Sequence, residues 1–95
     1  MIEFQLFKAI MPAMREPGGA ILEERYYKVR INLAQVLDYS DATGDETIQY
    51  DGNITAVNYN NGYCRFVMVD FETFHGFMMK FKASQTRYII QTKFN

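Results

Sequence analysis

Ninety-five residues, 48% hydrophobic and 22% charged, place the chain among single globular domains and exclude disorder as its ground state. A net charge of -1 gives none of the basic excess usual in a nucleic-acid-binding domain. The one cysteine, Cys64, rules out an intramolecular disulfide, so a reducing, cytoplasmic setting is expected.

Aromatic residues reach 16%, and Tyr and Phe favour strands, so the composition leans towards a β-rich fold. Ile2, Phe4 and Leu6 alternate with Glu3 and Gln5, which predicts a first strand running up to Ile10. "MPAMREPGGA" holds both prolines and a Gly-Gly pair and reads as a loop. "ILEERYYKVRI" then puts Tyr27, Val29 and Ile31 on one face and Tyr26, Lys28 and Arg30 on the other. That pattern predicts a half-exposed antiparallel strand, paired with the first as a hairpin.

Asn32 is placed to cap a single helical turn over Leu33 to Gln35, with Val36 to Tyr39 extended again. "DATGDE" reads as a turn in which Gly44 supplies a positive φ. "TIQY" alternates, and Asp51–Gly52 and Asn61–Gly62 are hairpin dipeptides. Thr47 to Val69 is therefore expected to form a three-stranded meander.

"VDFETFHGFMMKF" is the densest apolar stretch. In a helix starting after Asp70, the residues Phe71, Phe74, Phe77, Met78 and Phe81 share an arc of about 120°. Asp70 suits the N-cap, and Glu72 suits the positive end of the helix dipole. A strand reading would instead bury Thr73 and His75, so the helix is favoured. "TRYIIQTKF" reads as a final strand with Tyr88, Ile90 and Phe94 on one face. The expected fold is α+β, mainly β, and a single domain over residues 1–95. It is an antiparallel meander or small barrel-like sheet of about six to seven short strands, with one amphipathic helix near residues 71–82.

Catalytic chemistry is poorly provided for. His75 is the only histidine and sits at the edge of the apolar stripe, as a boundary residue expected to be dispensable. A zinc site needs three or four ligands, and the chain has one His and one Cys. Cys64, just after a turn, reads as a small packing residue. Asp38, Asp41, Asp45 and Asp51 lack calcium-loop spacing, and "PGGA" has neither the Lys nor the following helix of a phosphate loop. No catalytic residue, metal site or cofactor is expected. The start "MIEFQLFKAI" has no signal-peptide pattern, and no apolar run approaches the ~20 residues of a membrane span.

From Arg30 to Phe81 the order "INLAQVLDYSD…ETIQY…CRFVMVDFETFHGFMMKF" resembles the short flagellar FlbD-like proteins. More loosely, it is similar to LytTR-type β domains. The resemblance covers about half the chain and implies a β-meander with a helix. "DGNITAVNYNNGY" departs from the FlbD-like pattern, and the basic positions of a LytTR domain are missing from Ile31 to Cys64. The resemblance carries over no functional residue.

Charge is unevenly spread. Ile31 to Cys64 holds no Lys or Arg but carries Asp38, Asp41, Asp45, Glu46 and Asp51, while Arg65, Lys80, Lys82, Arg87 and Lys93 follow. This reads first as loops solvated by acids beside a sheet dotted with Lys. The functional alternative is a dipolar surface that helps self-association or steers a partner. The expected function is a small non-enzymatic protein-interaction module, an accessory protein of bacterial or phage type that pairs with itself as a homodimer. Tyr26, Lys28, Arg30, Tyr59, Tyr63 and Tyr88 are its candidate interaction residues. The terminal strands are its candidate edges. The alternatives are a single-stranded nucleic-acid platform on Tyr26, Lys28 and Arg30 with Arg65, disfavoured by the charge balance, and a small-ligand pocket lined by Tyr and Met.

Overall fold

A computed structural model describes residues 4–12 and 25–93, with side chains through residue 84. Five strands form one antiparallel sheet: β1 (Phe4–Ile10), β2 (Tyr26–Asn32), β3 (Val36–Asp41), β4 (Thr55–Tyr59) and β5 (Tyr63–Val67). Their order is β2-β1-β5-β4-β3, and α1 (Phe71–Lys93) follows. The result is a small α+β fold, mostly β, with an open sheet.

The first two strands pair as the alternation predicts, with Phe4 opposite Asn32 and Ile10 opposite Tyr26. Asn32 then caps the short turn Leu33–Gln35, its Oδ1 accepting from Ala34 N at 3.0 Å. The "NG" hairpin also forms. Asn60 and Asn61 adopt positive φ, and Tyr59 faces Tyr63 across the turn. Asn tolerates this conformation better than most residues, which is why the pair works here.

Four expectations need correction. "TIQY" is not a strand. Ile48 N and Gln49 N both donate to Asp45 O, closing a tight turn that throws Ile48 inward. Asp51–Gly52 makes a bend rather than a hairpin. Gly52 instead lies against the Tyr50 ring, since a Cβ there would come within 2.7 Å of the Tyr50 hydroxyl and push the ring aside. "TRYIIQTKF" belongs to α1 up to Lys93. No Gly or Pro interrupts the chain after Gly76, so nothing stops the helix once begun. Among the described residues the sheet therefore has five strands and stays open. The first strand is internal, and β2 and β3 are the edges. The predicted loop after Pro12 lies outside the described residues.

Each face of the sheet has its own core. The α1 stripe covers one face: Phe74, Met78 and Phe81 are buried against Phe7, Ile31, Val57 and Val67. Phe7 meets Phe74 at 5.4 Å and Phe77 at 5.7 Å between ring centres. On the other face the connection 42–54 lies over one end of the sheet. Ile48 and Ile54 pack there on Ile10, with Phe66 and Met68 alongside. Two Asp-x-Thr turns shape this connection. Asp41 accepts from Thr43 N and Asp45 from Thr47 Oγ1 and N. Arg25 ties it to the start of β2 by donating to Ile48 O and Gln49 O.

Asp70 starts the helix as its sequence position predicts. Its carboxylate accepts from Thr73 Oγ1 at 2.7 Å and Thr73 N at 3.0 Å. Those two bonds hold its pKa below the ordinary carboxylate value. Because the folded pKa is the lower one, the stabilisation is complete above the unfolded pKa and is lost as pH falls through the folded pKa. In Asp70→Asn, which keeps the cap geometry but cannot titrate, Tm should fall less steeply between pH 5 and pH 2, taken as about the range spanning carboxylate titration. Identical acid slopes in the two proteins would remove Asp70 from the acid transition.

Candidate functional site

The face of the sheet opposite α1 is only partly covered. Beyond the 42–54 connection, no other described residue packs over the outer face of β1 and β2, whose side chains are exposed. Alternation puts Phe4, Leu6 and Lys8 of β1 there, beside Tyr26, Lys28 and Arg30 of β2. Phe4 is 53% exposed, Leu6 62% and Tyr26 49%. Large apolar side chains this exposed, side by side on a strand face, mark a contact surface better than scattered ones do.

Its electrostatics are unusual for a sheet. Lys8 stands directly opposite Lys28 in the β1–β2 register, and Leu6 opposite Arg30. Like charges directly across a strand pair oppose pairing. Aromatic rings relieve part of the cost. Lys8 Nζ lies 5.2 Å from the centre of the Tyr26 ring, and the Arg30 guanidinium 5.9 Å from that of Phe4. Such exposed contacts contribute about 0.5–1 kcal/mol each. The Tyr26 ring also meets Tyr50 edge-on at 6.4 Å, which joins the strand face to the 42–54 connection.

The six candidate interaction residues do not form one surface. Tyr26, Lys28 and Arg30 share the open face. Tyr59 packs with the core under α1, so it and its cross-strand partner Tyr63 point to the opposite side, their rings stacked at 6.0 Å. Tyr88 falls within α1, its side chain outside the described residues. Sequence reading missed Phe4, Leu6 and Lys8 as members of the face. Their alternation was visible, but which side of β1 met the core was not.

A second feature lies where β1 and β5 part. They pair only through Ala9–Val67 and Ile10–Phe66. Past Ile10 the chain stays with β2, Met11 N donating to Arg25 O at 2.9 Å. The gap is a crevice of about 590 Å³ lined by Ile10, Met11, Tyr27, Cys64, Arg65 and Phe66 among others. Burial raises the pKa of the Tyr27 hydroxyl, and nearby Arg65 offsets part of that rise. The crevice has apolar walls with a phenol and a guanidinium among them. Cys64 is exposed, so it is no packing residue. It alternates with Phe66 on the side of the sheet away from α1.

His75 is half-buried, as a boundary residue should be, and it also has a specific partner. The Tyr39 hydroxyl and His75 Nδ1 lie 2.6 Å apart and share one hydrogen bond, its direction set by the imidazole tautomer. Phe71 stacks on the same ring at 5.9 Å. The arrangement clips α1 to β3. In a double-mutant cycle, Tyr39→Phe and His75→Ala should couple by about 0.5–1.5 kcal/mol in unfolding free energy. Additive effects would show that the bond contributes nothing.

Among the described residues no group of three or more His, Cys, Asp or Glu is arranged to hold a metal ion, and no helix is long and apolar enough to cross a membrane. Among the described residues, fold and surface define a small α+β arrangement: an open five-stranded antiparallel sheet under one α-helix, with an exposed apolar and cationic strand face. No family model, curated protein or solved structure matches the chain.

Proposed function

We propose that the chain is a non-enzymatic protein-interaction module that works through the outer face of β1 and β2. The observation that carries this reading is the exposure of Phe4, Leu6 and Tyr26 around Lys8, Lys28 and Arg30. Exposed rings and aliphatic groups lose water on docking, and the cations set register and select an acidic partner. The partner we favour is a second copy, in a cytoplasmic accessory protein of bacterial or phage type. A chain of this size has a small core of its own and gains stability from pairing.

Sedimentation tests the reading. Wild type should rise above 11.1 kDa with concentration. Leu6→Ser combined with Lys28→Glu should stay monomeric with its Tm within a few degrees, because both side chains are exposed and such changes move stability by only about 0.5 kcal/mol each. Unchanged association in this variant would remove the face from the contact.

A second reading has its own support: Phe4 and Tyr26 flank three cations, as in platforms that stack the bases of single strands. The net charge of -1 weighs against it. Tight oligonucleotide binding at physiological salt, lost in Lys28→Glu, would replace the protein-binding reading.

A further inference from the structure

We infer that the open face is self-complementary, and that two copies pair face to face about a two-fold axis, each laying its acidic 42–54 connection on the cationic strands of the other. The inference rests on the interaction-module reading and specifies its partner and geometry.

Three observations lead to it. First, the face is stepped. The 42–54 connection forms a second layer over Ile10 and Phe66, while Phe4, Leu6 and Arg30 further along the same face are exposed. Packed layers sit about 10 Å apart, so the step is deep enough to receive a loop of the same thickness. Second, the two levels carry opposite charge. The raised part bears Asp45, Glu46 and Asp51, all exposed, and the lower part bears Lys8, Lys28 and Arg30. Third, the two levels meet at Tyr26 and Tyr50. Turning one copy by half a turn about an axis through that junction sets each raised acidic loop into the partner's lower cationic strands. Both contacts form at once, which is the defining property of an isologous pair.

This arrangement accounts for the Lys8–Lys28 opposition. Two ammonium groups across a strand pair cost stability in the isolated chain, and the partner's Glu46 and Asp51 would relieve it. It also predicts where assembly stops. An isologous contact uses the whole face in a closed pair, so no filament grows.

Charge reversal tests it on the intact chain. One variant carries Lys8→Glu, Lys28→Glu and Arg30→Glu. The other carries Glu46→Lys and Asp51→Lys. All five positions are exposed, and circular dichroism of each variant alone checks that it folds. At low salt, wild type should plateau at twice 11.1 kDa, and 1 M salt, where the Debye length is about 3 Å, should shift it towards monomer. Each variant alone should remain monomeric at concentrations where wild type is paired. An equimolar mixture should recover the 1:1 pair, because both of its contacts again join opposite charges.

Wild type that pairs while both variants also pair unaided would overturn this geometry and leave the interaction-module reading standing. So would a mass that grows without a plateau, or a mixture that fails to recover. Wild type that stays monomeric at millimolar concentration, yet binds single-stranded oligonucleotide through Lys28 and Arg30, would overturn both.

Discussion

Phe74→Ala is expected to lower the unfolding free energy by about 3–5 kcal/mol, a range set by buried aromatic truncations. Phe74 is fully buried at the centre of the α1 stripe. Its ring meets Phe7 of β1 at 5.4 Å and Tyr39 of β3 at 5.0 Å. One side chain thus joins the helix to two strands that are not neighbours in the sheet. Its neighbours sit on different elements and cannot all move in to fill the space, so the cavity should persist. Urea denaturation read by far-UV circular dichroism measures the effect. A midpoint equal to wild type would place the helix stripe off the sheet.

Ile48→Ala should cost about 2–5 kcal/mol, the range for deleting a buried Ile side chain. The residue comes from a segment that makes no strand, yet it is fully buried. It plugs the second core with Ile54 over Ile10 and Phe66. Its turn is held by Asp45, which accepts from Thr47 Oγ1 and Thr47 N. Because the plug forms the raised level of the open face, Ile48→Ala should also weaken self-association beyond what its stability loss explains. Comparing dimer dissociation at a temperature where the variant is still folded separates the two effects. A cost below about 0.5 kcal/mol, the size of an ordinary surface change, would mean that the connection lies loosely on the sheet.

The two cores were not equally legible. The α1 stripe follows from spacing alone, since Phe71, Phe74, Phe77, Met78 and Phe81 recur at helical intervals behind a good cap. The plug does not. Thr47 to Tyr50 alternates like a strand, and only the turn closed on Asp45 O shows that Ile48 points inward as an anchor. The last segment misleads in a similar way. "TRYIIQTK" has β-branched and aromatic residues in alternation, but it follows an established helix without a break, and continuing a helix costs less than starting a new element.

The candidate surface was half legible. Tyr26, Lys28 and Arg30 were visible as one side of an alternating strand. Tyr59 and Tyr63 were visible as turn-flanking aromatics but face the other side of the sheet. Alternation divides a strand into two sides without saying which one is covered.

What the sequence by itself determined is therefore local: the β1–β2 alternation, the Asn32 and Asp70 caps, the Asn61–Gly62 turn and the helical stripe. Each depends on residues a few positions apart, and their physics acts within a turn or a strand pair. The tertiary structure alone decided the rest. It placed β1 inside the sheet, between β2 and β5. It laid the 42–54 connection over one end of the second face and left Phe4, Leu6 and Lys8 exposed beside Lys28 and Arg30. Those outcomes depend on which apolar surfaces meet across 20 to 60 residues of chain, as in the pairing of Ile10 with Phe66. No local pattern encodes that choice, because burial is won by the whole set of contacts together.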